Sequence, residues 1–234
     1  MNHLLNLLQI NPATTEEVVE VLEATEKEPL NLLDLVLGGG PVMIPITIMF
    51  IGAIYLMIER YLNIKKSGKL DPNFMATIKD MVLNDNITGA KKLCEKTDSP
   101  IARMLEKGLS RIGKPLKNIE VSVENVGKLE IYKLEKGMPI LATISGAAPM
   151  LGFLGTVTGM IITFHSIAVQ DDMVTPGALS GGIYQAMVTT VAGLVVGIIA
   201  YLGFNLLTAM IEKVVYKMEV ISVEFLDLLQ QPAE

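Results

Sequence analysis

The sequence predicts an all-α integral membrane protein with three transmembrane helices, two of them extended into a helical cytoplasmic domain. Three observations predict it. Half of the 234 residues are hydrophobic and only 19% are charged, against about 25% in soluble domains, and mean hydropathy is +0.46. Leu35–Ile58, Gly137–Gln170 and Met173–Ile211 contain no Asp, Glu, Lys or Arg, and each exceeds the roughly 20 apolar residues that cross a bilayer core. Strand-type alternation of apolar and polar residues persists nowhere.

Charge sets the orientation. Seven acids and one base precede Leu35, whereas 16 Lys/Arg and 10 Asp/Glu lie between Arg60 and Lys136. Lys and Arg mark the cytoplasmic side, so that segment is expected inside, with the N-terminus outside and the C-terminus inside. The short connection carrying Asp171 and Asp172 lacks any base and falls outside. The expected organisation is an outer segment 1–36, a first span 37–60, a cytoplasmic helical domain 61–136, a second span 137–168, an outer loop 169–180, a third span 181–211 and a cytoplasmic C-terminal helix 212–234.

Local signals place the elements in order. Met1–Ile10 is apolar but has no basic leader and no A-x-A site, so it does not read as a signal peptide. Thr14–Glu28 reads equally as an acidic helix capped by Thr14 or Thr15 or as a solvated tail. Gly38-Gly39-Gly40-Pro41 opens the first span and Glu59-Arg60 closes it. Asp71-Pro72 starts a helix expected to run to about Leu83, and Thr88 is the expected cap of a second, through Glu95. Ser99-Pro100 places a good N-cap before Pro at the first helical position. Ile101, Met104, Leu105, Leu109 and Ile112 then form one apolar stripe, with Gly113 suited to the C′ position. After Pro115 the series Leu116, Ile119, Val123, Val126, Leu129, Leu134 continues without a strong break, so this helix is expected to run directly into the second span.

The second and third spans are dense in small and hydroxyl residues. At 100° per residue, Ser145, Pro149, Gly152, Thr156, Gly159 and Thr163 fall within about 40° of one line. The third span repeats the theme with Gly182, Gln185, Ala186, Thr189, Thr190, Gly193, Gly197 and Ala200. Small residues let membrane helices approach closely, and Thr can return its hydroxyl to a carbonyl one turn back. Packing and a functional lining are therefore balanced on residue type alone. Gln185, Thr156 and the Thr189–Thr190 pair favour a lining, because packing needs only Gly and Ala. The spans hold no carboxylate, and His165, the one titratable candidate, reads as interfacial. Any proton conducted must then titrate on another chain. A net charge of −6 disfavours nucleic acid. A lone Cys94 excludes an internal disulfide and a thiolate metal cage, and no nucleophile–base pair, metal-spaced set or phosphate loop stands out. Neither an enzyme nor a cofactor or metal is expected.

The residues of both spans carry a resemblance. Pro139-Ile-Leu-Ala-Thr-Ile-Ser-Gly-Ala-Ala-Pro-Met-Leu-Gly-Phe-Leu-Gly-Thr-Val-Thr-Gly-Met160 resembles the "LATIA…AP…GLLGTVxGM" segment of the MotA/TolQ/ExbB proton-channel family. Gly182-Ile-Tyr-Gln-Ala-Met-Val-Thr-Thr-Val-Ala-Gly-Leu194, preceded by Pro176-Gly177, is similar to its "G(I)xEALxTTxxGL" segment. Three spans match the ExbB and TolQ branches. The resemblance implies a homopentameric ring in the inner membrane, with segments 1–36 and 169–180 periplasmic. Its second and third spans would line a pore holding the membrane helices of an ExbD-like partner, whose Asp carries the proton, and a TonB-like protein would receive the work. Pore positions carry over to Thr156 and Thr190, with Thr189, Thr163, Ser145 and Gln185 beside them, while Gly152, Gly155, Gly159 and Gly193 serve helix packing. Two departures stand out: Gln185 replaces the usual family Glu, and Ile199 replaces a frequent Pro. The role implied is an ExbB-type subunit energising TonB-dependent transport. The alternatives are a TolQ-type envelope-integrity subunit and a non-conducting membrane scaffold.

Overall fold

The computed structural model describes residues 38–169 and 176–230. The expected outer segment 1–36, Asp171 and Asp172 of the expected outer loop, and the last four residues lie outside the described residues. All regular structure among the described residues is helical: α1 Met43–Ser67, α2 Phe74–Leu83, α3 Ile87–Lys96, α4 Pro100–Leu109, α5 Leu116–Glu135, α6 Met138–Val169 and α7 Pro176–Gln230. Three helical stretches are long and apolar enough to cross a membrane: Met43–Ser67, Leu116–Val169 and Ser180–Gln230.

The longest helix organises the rest. α7 spans 55 residues without a break, so the third span and the C-terminal helix are one rod. α7 packs on α1 and α6 and also on α4 and α5. Its inward face reads Ala186, Thr189, Val196, Ala200, Leu207, Ile211, Val214, Met218, Phe225 and Leu228, all buried. That three-to-four spacing is a helix face continued through both the apolar and the charged halves. Small residues fill the apolar half and large ones the charged half. The Phe225 ring lies against Gly108 of α4, whose missing side chain makes room for it.

Several local expectations are corrected. α1 continues seven residues past Arg60 to Ser67, and Lys65 and Lys66 in its last turn suit the negative end of the helix. The helix expected at Asp71-Pro72 begins at Phe74, after an Asx turn in which the Asn73 N–H donates to Asp71 Oδ1. Thr88 does not cap α3. Asn86 does, its Oδ1 accepting from the Gly89 N–H at 3.0 Å, because the two residues between them fit the geometry of a cap. Ser99 is the N-cap residue of α4 with Pro100 at its first turn, but its hydroxyl makes no capping bond. α4 stops at Leu109, and a turn separates it from Gly113, which takes φ +91°. Ile112 is consequently outside the helix and exposed.

The expected continuous helix from 116 into the second span is broken. Lys136 is extended, with ψ 127°, and Gly137 takes φ +85°, a conformation that L side chains rarely adopt. The buried face of α5 is also rotated from the expected one. It is Ile119, Val123, Gly127, Glu130 and Leu134, while Leu129 is exposed. Arg60 of α1 braces the break. Its Nη1 donates to the Lys133 carbonyl at 3.4 Å, in the last turn of α5, where carbonyls lack helical partners.

Candidate proton-path face and its supports

α6 and α7 meet backbone to backbone. A Cβ built on Gly193 would stand 2.5 Å from the Ala148 carbonyl oxygen and 2.9 Å from Gly152 Cα. One on Gly152 would stand 2.9 Å from the Thr189 carbonyl oxygen, and one on Gly159 2.9 Å from Ala186 Cβ. Gly155 receives the Thr189 side chain and Gly197 receives the Pro149 ring. Without a hydrophobic driving force between helices in lipid, such close approach is what holds a pair together. Gly152, Gly155, Gly159 and Gly193 all lie in this seam, buried.

The hydroxyl residues divide into two groups. Thr163 and Thr189 are inside the seam, 3% and 1% exposed. Thr163 Oγ1 donates to the Gly159 carbonyl at 2.9 Å, and Thr189 Oγ1 to that of Ala186 at 2.8 Å. Thr156, Thr190 and Ser145 are half-buried, at the seam's edge. Thr156 Oγ1 donates to the Phe153 carbonyl and Ser145 Oγ to that of Ala142. Thr190 Oγ1 reaches across to the Gly152 carbonyl of α6 at 3.1 Å, and back to Ala186 at 3.3 Å. Thus Thr190 is a tie between the two helices as well as a polar surface group.

These bonds fix what the three hydroxyls at the seam's edge can offer. Each hydrogen is committed to a carbonyl, so each oxygen presents acceptor lone pairs. Such a surface welcomes a protonated carboxyl or a water donating to it.

Gln185 takes a different direction. Its side-chain amide occupies the place where a Cβ on Gly40 would stand, against the entry to α1. Gly40 has φ +67°. Thr156 and Thr190 lie on the flank facing away from α1. Gly203 and Val214, which meet α1 through Met57 and Gly68, sit about 120–140° around α7 from Thr190. Leu151, which shares a surface hollow with Met49 of α1, sits about 140° around α6 from Thr156. One face therefore carries Ser145, Thr156 and Thr190 together, and α1 covers another. His165 is exposed near the end of α6.

Beyond the apolar spans lies a charged support that sequence reasoning missed. Glu130 of α5 is 3% exposed. Its two oxygens accept from Arg103 of α4 at 2.7 Å and from Lys133 at 2.6 Å. Arg103 also pairs with Asp98 at 2.9 Å, and Asp98 with Lys66 of α1 at 2.7 Å. Burial alone pushes the Glu130 carboxyl up, but the hydrogen bonds and charges of Arg103 and Lys133 outweigh it and hold the group below its ordinary range. The chain of ion pairs ties the end of α1 to α4 and α5. The sequence signal was present: Glu130 interrupts an apolar series at helical spacing, and a carboxylate on such a face needs a partner. Cys94 is buried, and burial, followed by the nearby Glu106 and Glu95 charges, pushes its thiol up to about 12.

Among the described residues no group of three or more His, Cys, Asp and Glu could hold a metal ion. The model of the MotA/TolQ/ExbB proton channel family matches residues 96–220, which covers α4, α5, the seam and the hydroxyl face together. The chain belongs to that family. It is 26% identical over 192 residues to a protein of Methanothermobacter thermautotrophicus named as an ExbB homolog for biopolymer transport, covering 82% of this chain and 68% of that one. It is 30% identical over 183 residues to an ExbB-like protein of Synechocystis, covering 77% and 72%. It is 30% identical over 102 residues to the Tol-Pal system protein TolQ of Pseudomonas aeruginosa, covering 44% of each. This is a membrane-spanning channel-family protein of the ExbB/TolQ type.

Proposed function

We propose that the chain is the ExbB-type subunit of a proton-driven motor in the inner (cytoplasmic) membrane. Copies of it form a ring, expected to be a pentamer. In that ring the Ser145–Thr156–Thr190 face turns inward and holds the membrane helices of an ExbD-like partner. The charged helices 61–136 are cytoplasmic and the N-terminus periplasmic, as the Lys/Arg excess requires. Proton passage through the ring moves the partner and, through it, a TonB-like protein that energises outer-membrane transport.

One observation carries the reading. The second and third spans contain no Asp, Glu, Lys or Arg, yet one face of the α6–α7 pair shows three hydroxyl oxygens with acceptor capacity to spare. A lining that accepts hydrogen bonds but cannot itself ionise suits a guest carboxyl in its protonated, neutral form, or a water donating to it. Thr163 and Thr189 support this face from within the seam, and Gln185 supports the α1 entry. The energy scale is adequate, since each charge crossing about 100 mV releases about 2.3 kcal/mol.

The test is assembly. Native mass spectrometry of the chain co-expressed with its neighbouring single-span partner should give a closed ring with partner bound. A monomer in mild detergent, with partner absent, would contradict the reading. Recovery of a TolA-type rather than a TonB-type protein with the complex would move the assignment to the TolQ branch.

A further inference from the structure

The hydroxyl face does not end with the apolar span. Thr208, Glu212, Val215 and Glu219 follow Thr190 on the same side of α7, within about 40° of it, and Ala142 follows Thr156 on α6. There the surface sinks into a groove between α7 on one side and α5 and the start of α6 on the other. Its upper stretch holds about 530 Å³ and runs past Met138, Ala142, Phe204 and Ile211. Its lower stretch holds about 370 Å³ and runs past Met104, Met218 and Leu226. The two share Ile131, Val215 and Glu219. The floor is apolar and the rim is acidic. Glu135, Glu212 and Glu219 line the upper stretch, and Glu120, Glu124 and Glu219 the lower. Lys128, paired with Glu124 at 2.6 Å, is the single base among the lining residues. The two basic residues of α7, Lys213 and Lys217, sit on its other side, about 120–160° from the buried line through Gly193.

An exposed trough with an apolar floor and an excess of carboxylates over bases on its rim is built for a cationic amphipathic guest. Apolar contact holds such a guest and its charges set its register. Any single-span partner lying on the hydroxyl face leaves the membrane on this side, and the residues flanking a membrane helix on the cytoplasmic side are rich in Lys and Arg. We infer that the α5–α7 groove docks the basic cytoplasmic flank of the partner's membrane helix, clamping the partner below the bilayer while its carboxyl works within it. This rests on the partner lying along the hydroxyl face, and it adds a second, charge-selected contact outside the membrane.

The experiment uses the full chain co-expressed with its ExbD-type partner. One photo-crosslinking residue replaces Phe153, beside the hydroxyl face in the membrane. In a second protein it replaces Tyr216 at the groove. The Phe153 probe should trap the partner's membrane helix, and the Tyr216 probe should trap the Lys/Arg-bearing segment that flanks that helix on the cytoplasmic side. In parallel, the triple variant Glu135→Gln, Glu212→Gln, Glu219→Gln removes three rim charges while keeping shape. It should leave ring copy number and thermal stability unchanged and weaken partner retention about tenfold at physiological salt. The wild-type complex should weaken similarly when salt screens the rim. Trapping of the partner from Phe153 but not from Tyr216, or undiminished retention in the triple variant, would overturn the groove proposal alone. Trapping from neither position would overturn the partner-binding reading beneath it. Adducts from Tyr216 to another copy of this chain, or loss of the ring in the triple variant, would instead make the groove an interface between copies.

Discussion

Gly152 and Gly193 face each other across the α6–α7 seam so closely that a methyl on Gly193 would stand 2.9 Å from Gly152 Cα. The hydroxyl face is positioned by that contact, because Thr190, three residues before Gly193, bonds to the carbonyl of Gly152 itself. Gly193→Ala should force the helices apart, at a cost of about 1–3 kcal/mol as in overpacked cores. Thermal unfolding of the purified protein in detergent should show a clearly lowered midpoint. Gly146→Ala, where a methyl meets open space, should leave it unmoved.

The Glu130 ion-pair network gives a pH signature. Its carboxyl is held below its ordinary value of 4.5. The stabilisation is therefore full above that unfolded value and is lost as pH falls through the depressed folded one. Glu130→Gln should destabilise the protein by about 1–3 kcal/mol at neutral pH, the cost of leaving Arg103 and Lys133 without a charged acceptor. Unfolding midpoints of the two proteins should converge as the solution is acidified below pH 4.5. A gap that stays constant with pH would place the effect elsewhere.

Cys94 should be a poor reporter of sidedness in the native protein. It is 1% exposed and its thiol is pushed up to about 12, so almost no thiolate is available at neutral pH. A maleimide should modify it only after denaturation. In a Cys94→Ser background, a cysteine at the exposed Lys92 should react from the cytoplasmic side only, and one at Asp172 from the outside only. The opposite pattern in spheroplasts would reverse the topology.

Gly137 links the charged helices to the second span at φ +85°. Gly137→Ala should cost about 1–2 kcal/mol through the left-handed backbone alone, since the nearest atom, Leu56 Cδ2, would lie at an ordinary 3.5 Å. A lowered melting midpoint with an intact ring is the expected result. An unchanged midpoint would show that the break is free to re-form as continuous helix.

The three spans and the all-helical class were legible in the sequence because a bilayer demands long uncharged runs and leaves few ways to satisfy backbone polar groups. The small-residue stripe was legible too, as the spacing of Gly152, Gly159 and Thr163. Its use was not. Phase arithmetic puts Thr156 and Thr163 on one line, yet Thr163 is buried in the seam while Thr156 stands at its edge, because a helix carrying one close neighbour divides a single stripe between contact and surface. The Lys136–Gly137 break escaped detection because apolar periodicity continues across it, and only a single glycine marks the turn. Gln185 against Gly40 was invisible for a different reason: contacts between distant segments leave no local pattern.

The most direct test of the central claim is proton flux through the intact complex of this chain and its partner in liposomes, driven by a pH gradient. In the Thr156→Val, Thr190→Val double variant, each change removes an acceptor worth about 0.5–1.5 kcal/mol. Flux should fall about tenfold with complex composition unchanged. Thr143→Val, on the far side of α6 with the same hydroxyl-to-carbonyl bond, should conduct as the wild type does. Wild-type flux through the double variant in fully assembled complex would contradict the assignment of this face to the proton path.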